Sequence, residues 1–116
     1  MVYNSEPMNR KLSIEMRSKL TEFLRREMKA KNFTFESLAE EAERRIHEAA
    51  SRRDPALDEE DIALAGEIEV STRNAYSLMT FPSNPLGKRD SRIRFLGIVL
   101  ALGVDRSEAS RLAGGL

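Results

Sequence analysis

Leu64-Ala65-Gly66-Glu67-Ile68-Glu69-Val70-Ser71, followed by Thr72-Arg73-Asn74-Ala75-Tyr76-Ser77-Leu78-Met79, decides how this chain is read. The stretch reads as two short helices joined by a tight turn, with Ser71 placed to cap the second. Such a unit is a common means of laying one helix in the major groove of double-stranded DNA. Helical spacing turns Ala75, Leu78 and Met79 inward and leaves Thr72, Arg73, Asn74 and Ser77 outward, which makes those four the candidate base-reading residues. Arginine can donate two parallel bonds to guanine and asparagine can pair twice with adenine, each good pair giving about 1–3 kcal/mol of discrimination. Tyr76 is a candidate phosphate contact, against the alternative of a space-filling tyrosine bonded locally.

Upstream, the pattern stays helical. Met16, Leu20, Phe23, Leu24 and Met28 recur at three- and four-residue spacing, so a first helix is expected from about Ser13 to Lys31, ending near Asn32. Thr34 sits at an N-cap position, with Phe33 before it and Leu38 at the fourth helical position, the arrangement of a hydrophobic staple. The second helix carries Leu38, Ala42, Ile46 and Ala49. Its stripe weakens into alanines while its charges thicken, which predicts shallow packing at its far end, and Asp54-Pro55 closes it. Leu57, Asp58 and Ile62 repeat the staple and cap for a short third helix to about Ile68, with Glu59, Glu60 and Asp61 favourable near its positive end.

Downstream, Thr80 to Asp90 is loop chemistry: two prolines, a glycine and two basic residues. Lys88, Arg89, Arg92 and Arg94 surround the start of the next helix and are the candidate phosphate-contacting residues, joined there by backbone N–H groups. Ser91 to Leu102 predicts a helix with Ile93, Leu96, Val99 and Leu100 inward and Gly103 as its stop. Asp105 and Glu108 read as a capping box for a last short helix. With no alternating strand pattern beside these signals, the fold class is all-α: one domain over 1–116, a compact bundle of about five to six helices containing a helix-turn-helix.

The order of elements resembles the Cro/lambda-repressor-like helix-turn-helix family, also called the XRE family. Three pieces carry the likeness: the Leu64 to Ser71 approach to the turn, the polar helix through Met79, and Leu96-Gly97-Ile98-Val99-Leu100-Ala101-Leu102-Gly103-Val104-Asp105, similar to that family's late helix and its Leu-Gly-Val exit. Together they cover about residues 58–113. The resemblance implies a transcriptional regulator, a dimeric repressor of phage, plasmid or mobile-element type. The family usually has glycine where this chain has Glu69, which predicts an altered turn if that position needs positive φ. Leu38-Ala39-Glu40-Glu41-Ala42 also imitates the family's second helix. Either residues 43–61 extend and interrupt that helix, or 13–53 is an N-terminal helical hairpin added before a compact helix-turn-helix.

Charge refines the expectation. The chain of 116 residues has a formal net charge of zero, yet residues 1–33, 34–70 and 71–116 carry +4, −8 and +4. Local charge, rather than the net figure, sets the field beyond a Debye length of about 10 Å at 0.1 M salt. The acidic middle is expected to point away from DNA and to remain open to a protein partner. That leaves a rival function, a helix-turn-helix protein-interaction module (antiactivator, antitoxin or adaptor) gripping its partner through 34–70. A homodimer is expected because one small domain rarely supplies enough base contacts. Arg25, Arg26, Lys29 and Lys31 could also touch the DNA backbone, against the commoner alternative of solvated charges on the outer face of an amphipathic helix.

Composition narrows the remaining classes. Cysteine is absent, so neither a disulfide framework nor a thiolate metal site is available. His47 is the single histidine, read as a solvated helix residue, and no metal ligand set, cofactor or catalytic constellation is expected; an enzyme is not the reading. The first residues lack the regions of a signal peptide and Leu96 to Leu102 is too short to span a bilayer, so a cytoplasmic location is expected.

Overall fold

A computed structural model describes residues 6–55, 57–81 and 88–105, apart from the side chains of 6–14, 16 and 17. Five α-helices follow in order: α1 (Glu6–Ala30), α2 (Phe35–Ser51), α3 (Glu59–Ala65), α4 (Thr72–Thr80) and α5 (Arg89–Ala101). Among the described residues there is no strand, and no helix is long and apolar enough to cross a membrane. The fold is all-α. The capping box read at Asp105 and Glu108, and most of the 80–90 loop, lie outside the described residues.

Helix starts follow local chemistry closely. Thr34 accepts from the Ser37 N–H at 3.0 Å while Ser37 Oγ accepts the Thr34 N–H at 2.9 Å, which satisfies two donors that a helix end otherwise leaves without partners. Asp58 accepts from the Asp61 N–H at 2.8 Å. Helix ends share one device. In α1, α2 and α5 the residue after the cap is left-handed, Asn32 at φ 59°, Arg53 at φ 52° and Gly103 at φ 68°. Each closes the paired backbone bonds of a Schellman motif, for example Asp54 N–H to Ala49 O and Arg53 N–H to Ala50 O, both 3.0 Å. α1 differs from expectation at its other end: it is already helical at Glu6, with Pro7 inside the first turn, where its missing N–H removes no helical bond.

The buried side chains form two clusters. Leu20, Leu24 and Met28 of α1 meet Leu38, Ala39 and Ala42 of α2, Ala75, Leu78 and Met79 of α4, and Phe95, Ile98 and Val99 of α5. Ile46, Ala49 and Ala50 of α2 meet Leu57, Ala65, Ile68 and Ile93 in the second. α2 and α5 run through both, so the core is common to 13–53 and 58–105. Within it α2 packs against α5, α4 and α3, while α1 lies against α4. At the far corner, Lys31 Nζ donates to Leu102 O and pairs with Glu27 at 3.1 Å, tying the ends of α1 and α5 together.

Two expectations change here. The alanines of α2 do not mark shallow packing: Ala42, Ile46 and Ala49 are fully buried. At Ala42 the small side chain matches a close approach of α5: an added Cβ at Gly97 would lie 2.6 Å from Ile46 Cγ1 and 2.8 Å from the Ala42 carbonyl oxygen. Second, Phe95 and Ile98 join Ile93 and Val99 inside, whereas Leu96 and Leu100 are only half-buried against the second cluster. A helix apolar on nearly every side gives periodicity no single face to select.

Replacing Gly97 by alanine is expected to lower unfolding stability by about 1–3 kcal/mol, since one of its close neighbours is backbone and cannot rotate away. Gly66 gives the opposite sign. Its φ is −73° and an added Cβ meets nothing closer than 3.6 Å, so Gly66→Ala should stabilise by about 0.4–1 kcal/mol through the unfolded chain. Denaturant titration of both variants reads the difference directly.

Candidate nucleic-acid interface

α4 is fixed before it presents anything. Ser71 Oγ accepts the Asn74 N–H and Asn74 Oδ1 accepts the Ser71 N–H, both at 3.0 Å, so the helix starts in a reciprocal capping box. Its inner side chains, Ala75, Leu78 and Met79, are buried as the spacing predicts. Thr72 and Arg73 are exposed at the first turn, Asn74 and Ser77 are half-buried, and Tyr76 is 47% exposed. The Asn74 side chain is therefore engaged in the cap, its oxygen turned onto the backbone rather than outward.

The connection into α4 is not the tight turn read from the sequence. α3 ends at Ala65, and Gly66–Ser71 makes a six-residue link in which Ile68 and Val70 are both buried. Ile68 joins the second cluster and Val70 the first, so the link is anchored in both parts of the core. The backbone between them is held from two helices. Glu43 Oε1 of α2 accepts the Val70 N–H, His47 Nε2 of α2 donates to Ile68 O, and Arg94 Nε of α5 donates to Glu69 O, each at 2.8 Å. The longer path leaves Glu69 outside the left-handed region, since the non-glycine residues with positive φ are Asn32 and Arg53 among those described. His47 is thus a structural hydrogen-bond donor, not a solvated bystander. Sequence reading missed it because the carbonyl it holds lies far along the chain.

The expected phosphate residues around α5 are largely engaged elsewhere. Arg89 pairs with Asp58 at 3.2 Å, with Glu60 at 3.5 Å and with Asp61. Arg92 lies 3.7 Å from Asp61, whose side chain is only 13% exposed. Arg94 holds Glu69 O and sits 3.5 Å from Asp90. The α5 start also carries its own anion, for Asp90 Oδ1 accepts the Ser91 N–H at 2.9 Å. Lys88 stays exposed. The acidic middle therefore does not simply turn away from the basic segment: the start of α3 is bound to it. Among the described residues no three His, Asp or Glu side chains gather into a metal-holding group.

A different basic surface lies beside α4. Arg25, Arg26 and Lys29, all exposed on α1, line an open groove with Thr21, Phe33, Phe35 and Thr80. Phe35 meets the Tyr76 ring edge-on at 5.3 Å between centroids, and Tyr76 meets Phe81 likewise at 6.0 Å, so Tyr76 joins the groove to the exposed face of α4. The helix pattern alone could not separate these cations from solvated ones, because what distinguishes them is the neighbouring helix.

On α2 much of the acidic charge is answered internally. Arg44 Nη2 and Arg45 Nε reach the same Glu41 oxygen at 2.6 Å and 2.8 Å, and Arg44 also lies 3.5 Å from Glu48. Hydrogen bonds from Arg44 and then Arg45 pull the Glu41 carboxyl from its ordinary 4.5 to about 2. No family model matches this chain, nor does any curated protein or solved structure.

Two measurements test these contacts. Glu43→Ala leaves the Val70 N–H without its partner and should cost about 1–3 kcal/mol of stability, with faster hydrogen exchange at the Val70 amide. A carboxyl whose folded pKa is depressed stabilises above its unfolded value and loses that contribution as pH falls through the folded one. Thermal midpoints of wild type and Glu41→Gln should therefore differ at neutral pH and converge as pH falls from about 4.5 to about 2.

Proposed function

We propose that this protein is a sequence-specific DNA-binding transcriptional regulator that inserts the N-terminal face of α4 into the major groove. The observation that carries this reading is the way α4 is mounted. Its inner face is buried, its first turn is capped, and the link before it is gripped by Glu43, His47 and Arg94, while Thr72 and Arg73 project at the capped end. Base recognition needs side chains held in register on a rigid element, because a good bidentate pair tolerates little misplacement. Arg73 is the principal reader in this proposal, with Thr72 and Ser77 beside it. Asn74 serves the cap and contributes through its remaining amide hydrogens. Tyr76 stands where a hydroxyl can meet a phosphate or sugar.

The resemblance to Cro/lambda-repressor-like proteins supports the same reading, and with it a homodimer that binds paired half-sites, since few base contacts come from one copy. The dimeric repressor remains the form proposed. A second reading, a protein-binding module, draws support from a specific feature: the exposed rings of Tyr76 and Phe81 beside Phe35 offer aromatic anchors of the kind protein interfaces favour. Exposed acids of α2 and α3, such as Glu36, Glu40, Glu59 and Glu60, would border a partner held through 34–70.

A binding selection on random duplex at several salt concentrations separates the two. The DNA reading expects an enriched sequence, affinity that falls steeply with salt, and loss of about 1–3 kcal/mol of discrimination at one base pair in Arg73→Ala. Absence of any enriched duplex at low salt, with recovery of a protein partner that depends on 34–70, would overturn it.

A further inference from the structure

We infer that Arg25, Arg26 and Lys29 of α1 form the clamp on the DNA backbone, in place of the arginines that begin α5. The inference rests on the DNA reading above and identifies the surface that supplies its affinity. Three observations carry it. Among the described residues no carboxylate is paired with Arg25, Arg26 or Lys29, whereas Arg89, Arg92 and Arg94 are each tied to carboxylates of α3 or α5. A cation already matched to a carboxylate must give up that partner to meet a phosphate, so it gains less on binding than one facing water.

The second observation is position. Thr80, at the end of α4, lines the same groove as the three cations, and Phe35 joins that groove to Tyr76. Going back along α4 from Thr80 to Arg73 spans about 10 Å at 1.5 Å per residue, close to the roughly 12 Å width of the major groove. With Arg73 at the base edges, the opposite end of α4 and the flank of α1 stand where the phosphates border the groove.

The third is charge. Phosphate oxygens are the complement of a rim with three cations and one acid, Glu22. Neutralising a phosphate releases condensed counterions, so each such contact adds about −0.9 to the slope of log affinity against log salt. These contacts set affinity and register but carry no sequence information.

The test compares the full chain with Arg25→Gln/Arg26→Gln/Lys29→Gln and with Arg89→Gln/Arg92→Gln, titrating the enriched duplex and a scrambled duplex at several salt concentrations. Circular dichroism and a thermal melt check folding, which the exposed α1 triple should preserve. The expected result is that the α1 triple weakens both duplexes by the same factor, keeps the sequence preference, and makes the salt slope shallower by about 2–3. The α5 pair is expected to lower the thermal midpoint while leaving the salt slope near wild type. An unchanged salt slope in the α1 triple, with wild type still selecting its sequence, overturns the clamp and leaves the α4 reading standing. Failure of wild type to bind any duplex at low salt overturns both. A fluorescent acidic peptide with one phenylalanine is the control for the other class of partner: if it binds wild type and not the triple, while no duplex binds, the groove is a protein-docking site and the proposal is lost.

Discussion

The close crossing of α2 and α5 at Gly97 is the contact on which the other helices depend. With no side chain at that position, α5 comes near enough for Ile46 and the Ala42 carbonyl to occupy the space a Cβ would need. Both helices then run through both clusters of the core, and α1, α3 and α4 are arranged around them. A methyl group there would push the pair apart, and interiors packed at crystal-like density absorb such a shift poorly. Ala42 follows from the same demand, and the other inward alanines of α2 are buried core rather than a weak hydrophobic stripe.

That crossing also mounts the candidate reading helix. Glu43 and His47 lie one helical turn apart on α2, and Arg94 lies on α5, so the two central helices together grip successive backbone groups of the link before α4. The link can be six residues long and still rigid, because Ile68 and Val70 are buried and its polar groups are satisfied from outside. A short glycine turn achieves rigidity by having few conformations; this link achieves it through tertiary contacts. Glu69 lies outside the left-handed region and carries no such backbone penalty under that arrangement.

Charge is partitioned in a way that segment totals conceal. The acids of α3 answer Arg89 and Arg92, and Glu41 answers Arg44 and Arg45. What stays open to a polyanion is set by which cations find a carboxylate in the folded chain. By that criterion the cations of α1 are more available than the arginines at the start of α5, although the sequence ranks them the other way. Lys31, adjacent to the open cations in sequence, is drawn to Glu27 and the end of α5 instead.

Local chemistry was legible in the sequence. The caps at Thr34, Asp58 and Ser71, the stop at Gly103, the inward Ala75, Leu78 and Met79, and the all-α class all depend on interactions within a few residues, which spacing and residue type determine. Only the tertiary structure decided which side of α5 is innermost, that the alanines of α2 are deeply buried, how the link to α4 is held, and which cations remain open. Each of those depends on groups 20 or more residues apart in sequence, such as His47 with Ile68 or Arg94 with Glu69. A hydrogen bond or an ion pair of that kind has no periodicity to announce it, because its partners become neighbours only once the helices have packed.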